Sequence, residues 1–197
     1  MSATMFIVRL IGVACLVAAC AGPEPVKDHE AKGNAESSND IGCTDVAHLR
    51  NIYTPADLYR AIPVCVERND YDSAVFISAL ASVYARYDQM RVADESAQQA
   101  ETVLRMKYLD SLVPDQQKKF VEVLRARTNS PTKLTVMCDQ IRGIGPPHYF
   151  PTYMVQHGMG AFIGNTRGDG LVTGFNGAQA WNEVLTTFLH CPEVTTG

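Results

Sequence analysis

The sequence predicts a mainly α-helical protein, an antiparallel helical array or bundle that ends in a loop-rich segment of glycine and proline. No glycine occurs between Gly42 and Gly143, and a glycine costs a helix interior about 1 kcal/mol relative to alanine. Apolar residues in this stretch recur three and four positions apart, as on one face of a helix. Nine glycines then fall within residues 143–177, which excludes long regular helices there. These three observations carry the predicted fold class.

The chain opens with a predicted secretory signal peptide over residues 1–19. The apolar run at residues 10–19 is half as long as the roughly twenty residues that a bilayer span needs. Arg9 supplies a short positive start, and small residues close the run. This pattern is typical of a signal peptide that is removed from the mature chain.

The five residues "LVAAC", which end at Cys20, resemble the lipobox of bacterial lipoproteins. The resemblance implies cleavage before Cys20, a diacylglyceryl group on its sulfur and an acylated new N-terminus. Several acyl chains make such anchoring effectively permanent. Ala21 stands where an Asp would retain an enterobacterial lipoprotein in the inner membrane, so the resemblance implies an outer-membrane protein facing the periplasm. The alternative is an ordinary cleaved signal with an incidental cysteine.

A lipidated, flexible tether is predicted over residues 20–40. This segment holds almost no large apolar side chain, so it cannot bury enough surface to offset the entropy of ordering. A single helical domain is expected over residues 41–197. After removal of residues 1–19 the chain keeps 16 basic and 21 acidic side chains, a net charge of −5. With no basic run, this charge argues against nucleic-acid binding.

Four cysteines follow the proposed anchor, and an even number in an exported protein indicates two disulfides. Three pairings are open. We favour Cys43–Cys65 and Cys138–Cys191, because each closes a loop of moderate length. The first staples the beginning of the fold to an early helix, and the second brackets the glycine-rich region. The alternative is a set of buried free thiols. No C-x-x-C occurs, so we expect no metal site and no cofactor.

Five helices are predicted within the glycine-free part, residues 43–142. Thr54 is placed to cap the first, with Pro55 at its first helical position. The connections are short, which indicates antiparallel neighbours. The apolar positions of the second to fifth helices begin at Val75, Ala97, Phe120 and Leu134.

The segment "NDYDSAVFISALA", residues 69–81, resembles the second helix of a tetratricopeptide repeat. Tyr71, Ala74 and Ala81 fall at matching positions. No second copy follows at the repeat period of about 34 residues. We favour the plainer interpretation, a helix that packs closely through its alanines.

Residues 143–177 are predicted to form loops. Strand-like pieces at 161–163 and 171–173 favour a small β-hairpin within them. Apolar side chains then return to helical spacing, which predicts a C-terminal helix over residues 178–191, with Asn176 positioned as its cap.

Aromatic and methionine side chains cluster between the prolines and glycines of this loop-rich segment. Such residues dominate the binding energy of protein interfaces. The alternative is that they fold back and extend the core of the helical bundle. The candidate binding surface consists of His148, Tyr149, Phe150, Tyr153, His157 and Phe162.

Catalytic signatures are missing from the sequence. His148 or His157 would act as a base if Asp139 or Asp169 approached it, because an imidazole with a carboxylate partner is a proton acceptor. Neither G-x-S-x-G nor H-E-x-x-H accompanies them. The glycine spacing also departs from G-x-G-x-x-G, which argues against nucleotide binding. No catalytic residue is assigned.

The favoured interpretation is a non-enzymatic lipoprotein anchored to the membrane through its lipid. Its body is expected to bind another protein, either an envelope assembly partner or the toxin of a toxin–immunity pair. One alternative is an envelope hydrolase that uses His148 or His157. A second alternative is a structural envelope component.

Overall fold

The structure is a computed structural model that describes residues 32–193. The predicted signal peptide, Cys20 and the first part of the tether lie outside the described residues. Within residues 32–193 the chain forms eight α-helices and no β-strand, so the mainly α-helical prediction is confirmed. The helices are α1 (Pro55–Glu67), α2 (Tyr71–Arg91), α3 (Ala100–Tyr108), α4 (Pro114–Thr128), α5 (Pro131–Ile144), α6 (Thr152–Val155), α7 (Met159–Phe162) and α8 (Gly177–Glu183).

Helix α2 lies at the centre of the fold. Its apolar side chains are spread around the whole helix, which is typical of a buried helix. Helices α1, α4 and α8 pack around it, together with the π-helical turn Val184–Phe188 that continues α8. The largest α2 side chains that are fully buried are Phe76, Ile77, Leu80 and Tyr84. The five helices predicted for the glycine-free part are α1 to α5.

Side-chain caps start three of these helices. Thr54 and Asp57 form a reciprocal capping box at the start of α1, with the Asp57 backbone N–H donating to Thr54 Oγ1 at 3.3 Å. Asp70 accepts from the backbone of Ser73 at the start of α2. Ser130 caps α5. Thr54 therefore acts as the sequence predicts.

The folded body begins earlier than the predicted residue 41. The Asp57 carboxylate accepts from the backbone N–H groups of Ser38 and Asn39 at 2.7 Å each, and from the Ser37 hydroxyl at 2.9 Å. Ala35 also donates its backbone N–H to the carbonyl of Tyr153. Polar contacts to a buried carboxylate order this segment without large apolar side chains, which composition does not reveal.

Both favoured disulfides are present. Cys43 bonds to Cys65 and Cys138 bonds to Cys191, with sequence separations of 22 and 53 residues. The second disulfide joins α5 to the end of the described chain and so brackets the glycine-rich segment. Cys65, Cys138 and Cys191 are buried in the core.

The expected β-hairpin does not form within residues 32–193. Residues 159–162 instead make the helical turn α7. Leu171 pairs with Val92, at the end of α2, in an isolated antiparallel bridge. The first strand-like piece is thus taken up by a helical turn, with Phe162 and Ile163 donating their backbone N–H groups to Gly158 and Met159, while the second bonds to the end of α2.

The C-terminal helix is shorter than the predicted 178–191. Asn176 caps α8 by accepting from the Gln179 backbone at 3.1 Å. The regular helix ends at Glu183 and widens into the π-helical turn. Cys191 donates its backbone N–H to Leu185 O at 2.8 Å and continues into the disulfide. None of the helices within residues 32–193 is long and apolar enough to cross a membrane.

Candidate functional site

A buried carboxylate, Asp88, lies between α2 and the glycine-rich segment. Its Oδ2 accepts the hydroxyls of Tyr149 and Tyr153, each at 2.9 Å. Its Oδ1 accepts the Nε–H of Arg91, one helical turn further along α2, at 2.7 Å. Three charge-assisted hydrogen bonds therefore satisfy a side chain that no water reaches.

Arg91 is held between two aromatic rings. Its guanidinium carbon lies 5.2 Å from the ring centroids of Tyr87 and of Tyr149, within cation–π range. Nη2 of Arg91 lies 2.7 Å from the same Asp88 oxygen as Nε and has no aligned hydrogen-bond partner among the described residues. Among residues 32–193, Asp88 is the only carboxylate that forms a salt bridge with the Arg91 guanidinium.

Aromatic side chains close the site against solvent. Tyr84 contacts the rings of Tyr149 and Trp181 at centroid distances of 6.1 and 6.0 Å. Tyr87 meets Phe175 edge-on at 5.3 Å. The rings come from α2, the glycine-rich segment and α8, so this cluster joins three parts of the chain.

Burial sets the protonation behaviour of the site. It raises the pKa of Asp88 to about 6, against the effects of Arg91 and the tyrosine hydrogen bonds, which favour the charged form. The pKa values of Tyr149 and Tyr153 lie well above their ordinary value, because burial and the Asp88 carboxylate both disfavour a phenolate. At neutral pH, Asp88 accepts hydrogen bonds as a carboxylate and both tyrosines donate.

The predicted binding surface is therefore divided by the fold. Tyr153 is buried and Tyr149 partly buried, and both hydroxyls point into the molecule. The prediction that these two tyrosines belong to an exposed surface is wrong, because Asp88 draws them inward. Phe150, Phe162 and His148 remain exposed.

A second carboxylate, Asp94, holds helix α7 in place. Its Oδ2 accepts the backbone N–H of Gly160 at 2.8 Å, and the hydroxyl of Ser96 accepts that of Met159 at 2.8 Å. The first N–H groups of a helix have no partner within the helix, and the cap residue Gly158 has no side chain to offer. Asp94 and Ser96 therefore supply the cap from more than sixty residues away in the sequence.

Glycine is required for this close approach. A Cβ atom built on Gly158 would lie 2.6 Å from Asp94 Oδ2, and one built on Gly160 would lie 3.0 Å from it. Both distances are shorter than ordinary van der Waals contact. These two glycines, whose spacing departs from that of a phosphate-binding loop, thus serve to bring α7 against the Asp94 carboxylate.

Helix α7 presents a set of exposed apolar side chains. Met159, Phe162 and Ile163 are 59%, 57% and 64% exposed. Their spacing of three and four residues puts them on one side of the helical turn. We call these three residues the exposed apolar turn. Asp94 and Ser96 accept hydrogen bonds from its backbone, so the backbone that carries these apolar side chains is held in one position.

His148 and His157 form no salt bridge with a carboxylate of residues 32–193. His148 is exposed, and its backbone N–H donates to Asn51 O at 2.8 Å. Nδ1 of His157 lies 2.6 Å from the side-chain oxygen of Asn34, and burial lowers the pKa of its imidazole. His157 therefore secures the segment that precedes α1.

The carboxylates expected near these histidines are engaged elsewhere. Asp139 pairs with Arg142 at 3.1 Å, and Asp169 accepts from the backbone of Leu171 at 3.0 Å. The described residues thus do not form the imidazole–carboxylate pair that the hydrolase alternative needs at His148 or His157.

Sequence reasoning missed Asp88, Arg91, Asp94 and Ser96. A signal for the first pair was present: Asp88 follows Tyr84 by four residues, on the buried side of an apolar helix, with a cation three residues further on. A charge at such a position predicts a buried, paired group. Asp94 and Ser96 carry no comparable signal, because their partners are backbone atoms distant in sequence.

Within residues 32–193 no group of three or more His, Cys, Asp or Glu side chains is arranged to hold a metal ion. Comparison with family profiles, with curated proteins and with solved structures finds no match to this chain.

Proposed function

We propose that this protein is an envelope lipoprotein whose body binds another protein through the exposed apolar turn. The observation that carries the proposal is the exposure of Met159, Phe162 and Ile163 on a turn whose backbone is hydrogen-bonded to Asp94 and Ser96. Adjacent exposed apolar side chains mark interaction sites in soluble domains. The proposed partner presents an apolar recess to this turn.

Anchoring of the turn favours binding. Association costs free energy for every side chain or loop that must be ordered at the interface. Here the caps from Asp94 and Ser96 order the backbone beforehand. Phe162, the aromatic residue of the turn, belongs to a residue class that is enriched in protein interfaces.

The lipobox resemblance supports the proposed location. It implies acylation at Cys20, which would leave the body facing the periplasm, and two disulfides suit that oxidising compartment. Mass spectrometry of the mature N-terminal peptide tests this part. We expect an acylated Cys20, and an unmodified N-terminus would contradict it.

Affinity purification from solubilised envelopes tests the binding role. The full chain is compared with a Met159→Ser, Ile163→Ser variant, in which exposed apolar side chains are replaced without disturbing the core. Val136→Ser is the matched control, because Val136 is 52% exposed on a different helix, α5. We expect a specific protein to be captured by the full chain and the control, and to be lost with the turn variant.

Two results would contradict the binding role. One is the absence of any specifically captured protein at high expression. The other is capture that the turn variant leaves unchanged. A third measurement is whether deletion of the gene weakens the envelope as a permeability barrier. If it does, and the turn variant then restores a normal barrier, the result would favour the alternative of a structural component. The toxin–immunity form of the proposal requires, in addition, that the captured protein be a toxin.

A further inference from the structure

A groove of about 410 Å³ lies along one side of the molecule, and none of its lining residues belongs to the exposed apolar turn. It runs between α2, α4 and the π-helical turn after α8. Its volume falls within the range of small-molecule sites in proteins. The apolar lining includes Leu112, Phe120, Val121, Leu124, Met137 and Phe188.

The direction of the helices divides this groove into two ends. Arg127, in the last turn of α4, pairs with Asp72, in the first turn of α2, at 2.8 Å. Helices α2 and α4 are therefore antiparallel, and the start of α4 lies beside the second half of α2. Gln117 thus falls at the same end as Ser82, while Met137 lies toward the other end, near the start of α2.

The end at Gln117 is polar and carries both signs of charge. Arg105 and Asp110 line it, and Gln117 donates its amide to the Asp110 carbonyl at 2.8 Å. Neither Arg105 nor Asp110 forms an ion pair with any residue in the described range 32–193. Arg105 also favours the charged form of Glu101, four residues before it on α3. The groove therefore combines an apolar channel with one cation and one anion that are outside any salt bridge among residues 32–193.

The length of the channel matches one lipid chain. Residues 117–128 of α4 span about 16 Å at the helical rise of about 1.5 Å per residue. The hydrocarbon core of a bilayer is roughly 30 Å thick, so one leaflet, and hence one acyl chain, occupies about 15 Å.

We propose that this groove binds a lysophospholipid with a zwitterionic headgroup. The single acyl chain lies along α4, the phosphate meets Arg105, and the ammonium group meets Asp110. The charges of the two side chains complement those of the headgroup in sign, and the apolar lining complements the chain. This site is separate from the exposed apolar turn, so its failure would leave the proposed protein-binding role intact.

Calorimetric titration of the purified full chain with lauroyl lysophosphatidylethanolamine, below its micelle concentration, tests the proposal. We expect saturable binding of one lipid per chain. Val121→Trp places an indole in the channel at a position that is already 37% exposed, and should weaken binding by at least about tenfold. Val136→Trp, outside this groove, is the matched control and should bind as the unaltered chain does.

The charged end is tested separately. Arg105→Gln and Asp110→Asn should each weaken lysophospholipid binding by about tenfold, because each removes one charge-assisted contact. Lys118→Gln, on α4 but outside the lining, controls for net charge. Sodium dodecanoate, which carries only an anion, should bind more weakly than the lysophospholipid, and Asp110→Asn should strengthen its binding.

Three results would overturn the proposal. The first is the absence of saturable binding. The second is equal binding by the Val121 and Val136 variants. The third is a lysophospholipid affinity that is the same in both charge variants as in the unaltered chain. Hydrophobic adsorption of the acyl chain alone would give that result. Loss of a captured protein on Val121→Trp, without lipid binding by the unaltered chain, would overturn it in favour of a protein occupant.

Discussion

The glycine-free part, residues 43–142, and the glycine-rich segment, residues 143–177, are held by different forces. Helices α1 to α5 bury apolar side chains that recur at helical spacing around the central helix α2. The glycine-rich segment buries fewer apolar side chains, among them Met154 and Val155, and is in addition anchored by polar groups that the helical part supplies. Asp88 accepts from two of its tyrosines, and Asp94 with Ser96 caps its helix α7.

This difference has a consequence for stability. Apolar burial is spread over many side chains in the helical part. The loss of any one of them therefore removes only a small part of the stabilising free energy. The glycine-rich segment has fewer buried apolar side chains and depends more on a few buried or capping polar groups, so the loss of one leaves its partners unsatisfied. Substitutions at those few groups should therefore unfold or loosen the glycine-rich segment first.

The largest expected effect is that of Asp88→Ala. The substitution leaves the Arg91 guanidinium without its counter-charge and two tyrosine hydroxyls without an acceptor. Breaking a buried ion pair from one side typically costs about 3–5 kcal/mol of unfolding free energy. Urea unfolding followed by the fluorescence of the single tryptophan, Trp181, measures it. A loss below about 1 kcal/mol would contradict the assigned role.

Asp139→Ala is the matched control for that measurement. Asp139 also pairs with an arginine three residues along its helix, Arg142, but its side chain is 65% exposed. Exposed ion pairs contribute about 0–1 kcal/mol. The contrast between the two substitutions separates the effect of the Asp–Arg pairing from the combined effect of burial and the two tyrosine hydrogen bonds at Asp88.

Removal of one disulfide or the other should affect the two regions differently. On the chain-entropy model, the pair separated by 53 residues contributes about 4 kcal/mol and the pair separated by 22 about 3 kcal/mol. We expect Cys138→Ser with Cys191→Ser also to speed proteolysis within the exposed range 163–169, because that disulfide brackets the segment. Cys43→Ser with Cys65→Ser should leave this cleavage unchanged. Equal cleavage in both variants would argue against the distinction.

The pH dependence of stability provides a further test. The pKa of Asp88 is raised to about 6 from its ordinary value of 3.8, so the folded protein binds an extra proton between these values. The contribution of Asp88 to the free energy of unfolding therefore rises, by roughly 3 kcal/mol, as the pH falls through this window. The pKa of Asp94 is lowered by hydrogen bonds from Ser96 and Gly160, so its contribution is lost in acid.

Carbon-13 NMR of the side-chain carboxyls measures both groups directly. We expect the Asp88 resonance to titrate with a midpoint near pH 6 and the Asp94 resonance to titrate below the ordinary range for an aspartate. Asp88→Asn should remove the first transition and make the loss of stability in acid steeper. An Asp88 midpoint below pH 4 would show that its partners outweigh its burial.

The smallest expected effects come from two glycines, and their signs are opposite. Gly143→Ala lies in α5 with no atom within 4 Å of the new Cβ, and should stabilise by about 0.5–1 kcal/mol through helix propensity. Gly158→Ala forces a Cβ to 2.6 Å from Asp94 Oδ2 and should destabilise by about 1–2 kcal/mol. Thermal unfolding of both variants checks the signs. The same sign for both would contradict the required close approach.

Much of the helical part could be predicted from the sequence. Thr54 predicts the start of α1, and the helical spacing of apolar residues from Val75 onward predicts α2. Both predictions succeed because capping and helical periodicity are local properties. The disulfide pairs were correctly ranked by loop length. The candidate site was only partly foreseen: the sequence located the aromatic segment, yet it did not decide whether Tyr149 and Tyr153 lie on a binding surface or extend the core.

Local pattern by itself determined which residues form α1 to α5 and where glycine interrupts them, since helix propensity acts over neighbouring positions. Only the tertiary structure decided that Asp88 draws two tyrosines inward, that Asp94 caps a helix distant in sequence, and that the three side chains of the exposed apolar turn remain accessible to solvent. These contacts join groups more than sixty residues apart. The partners of a carboxylate depend on what the packed helices bring within hydrogen-bonding distance, and no local pattern encodes that distance.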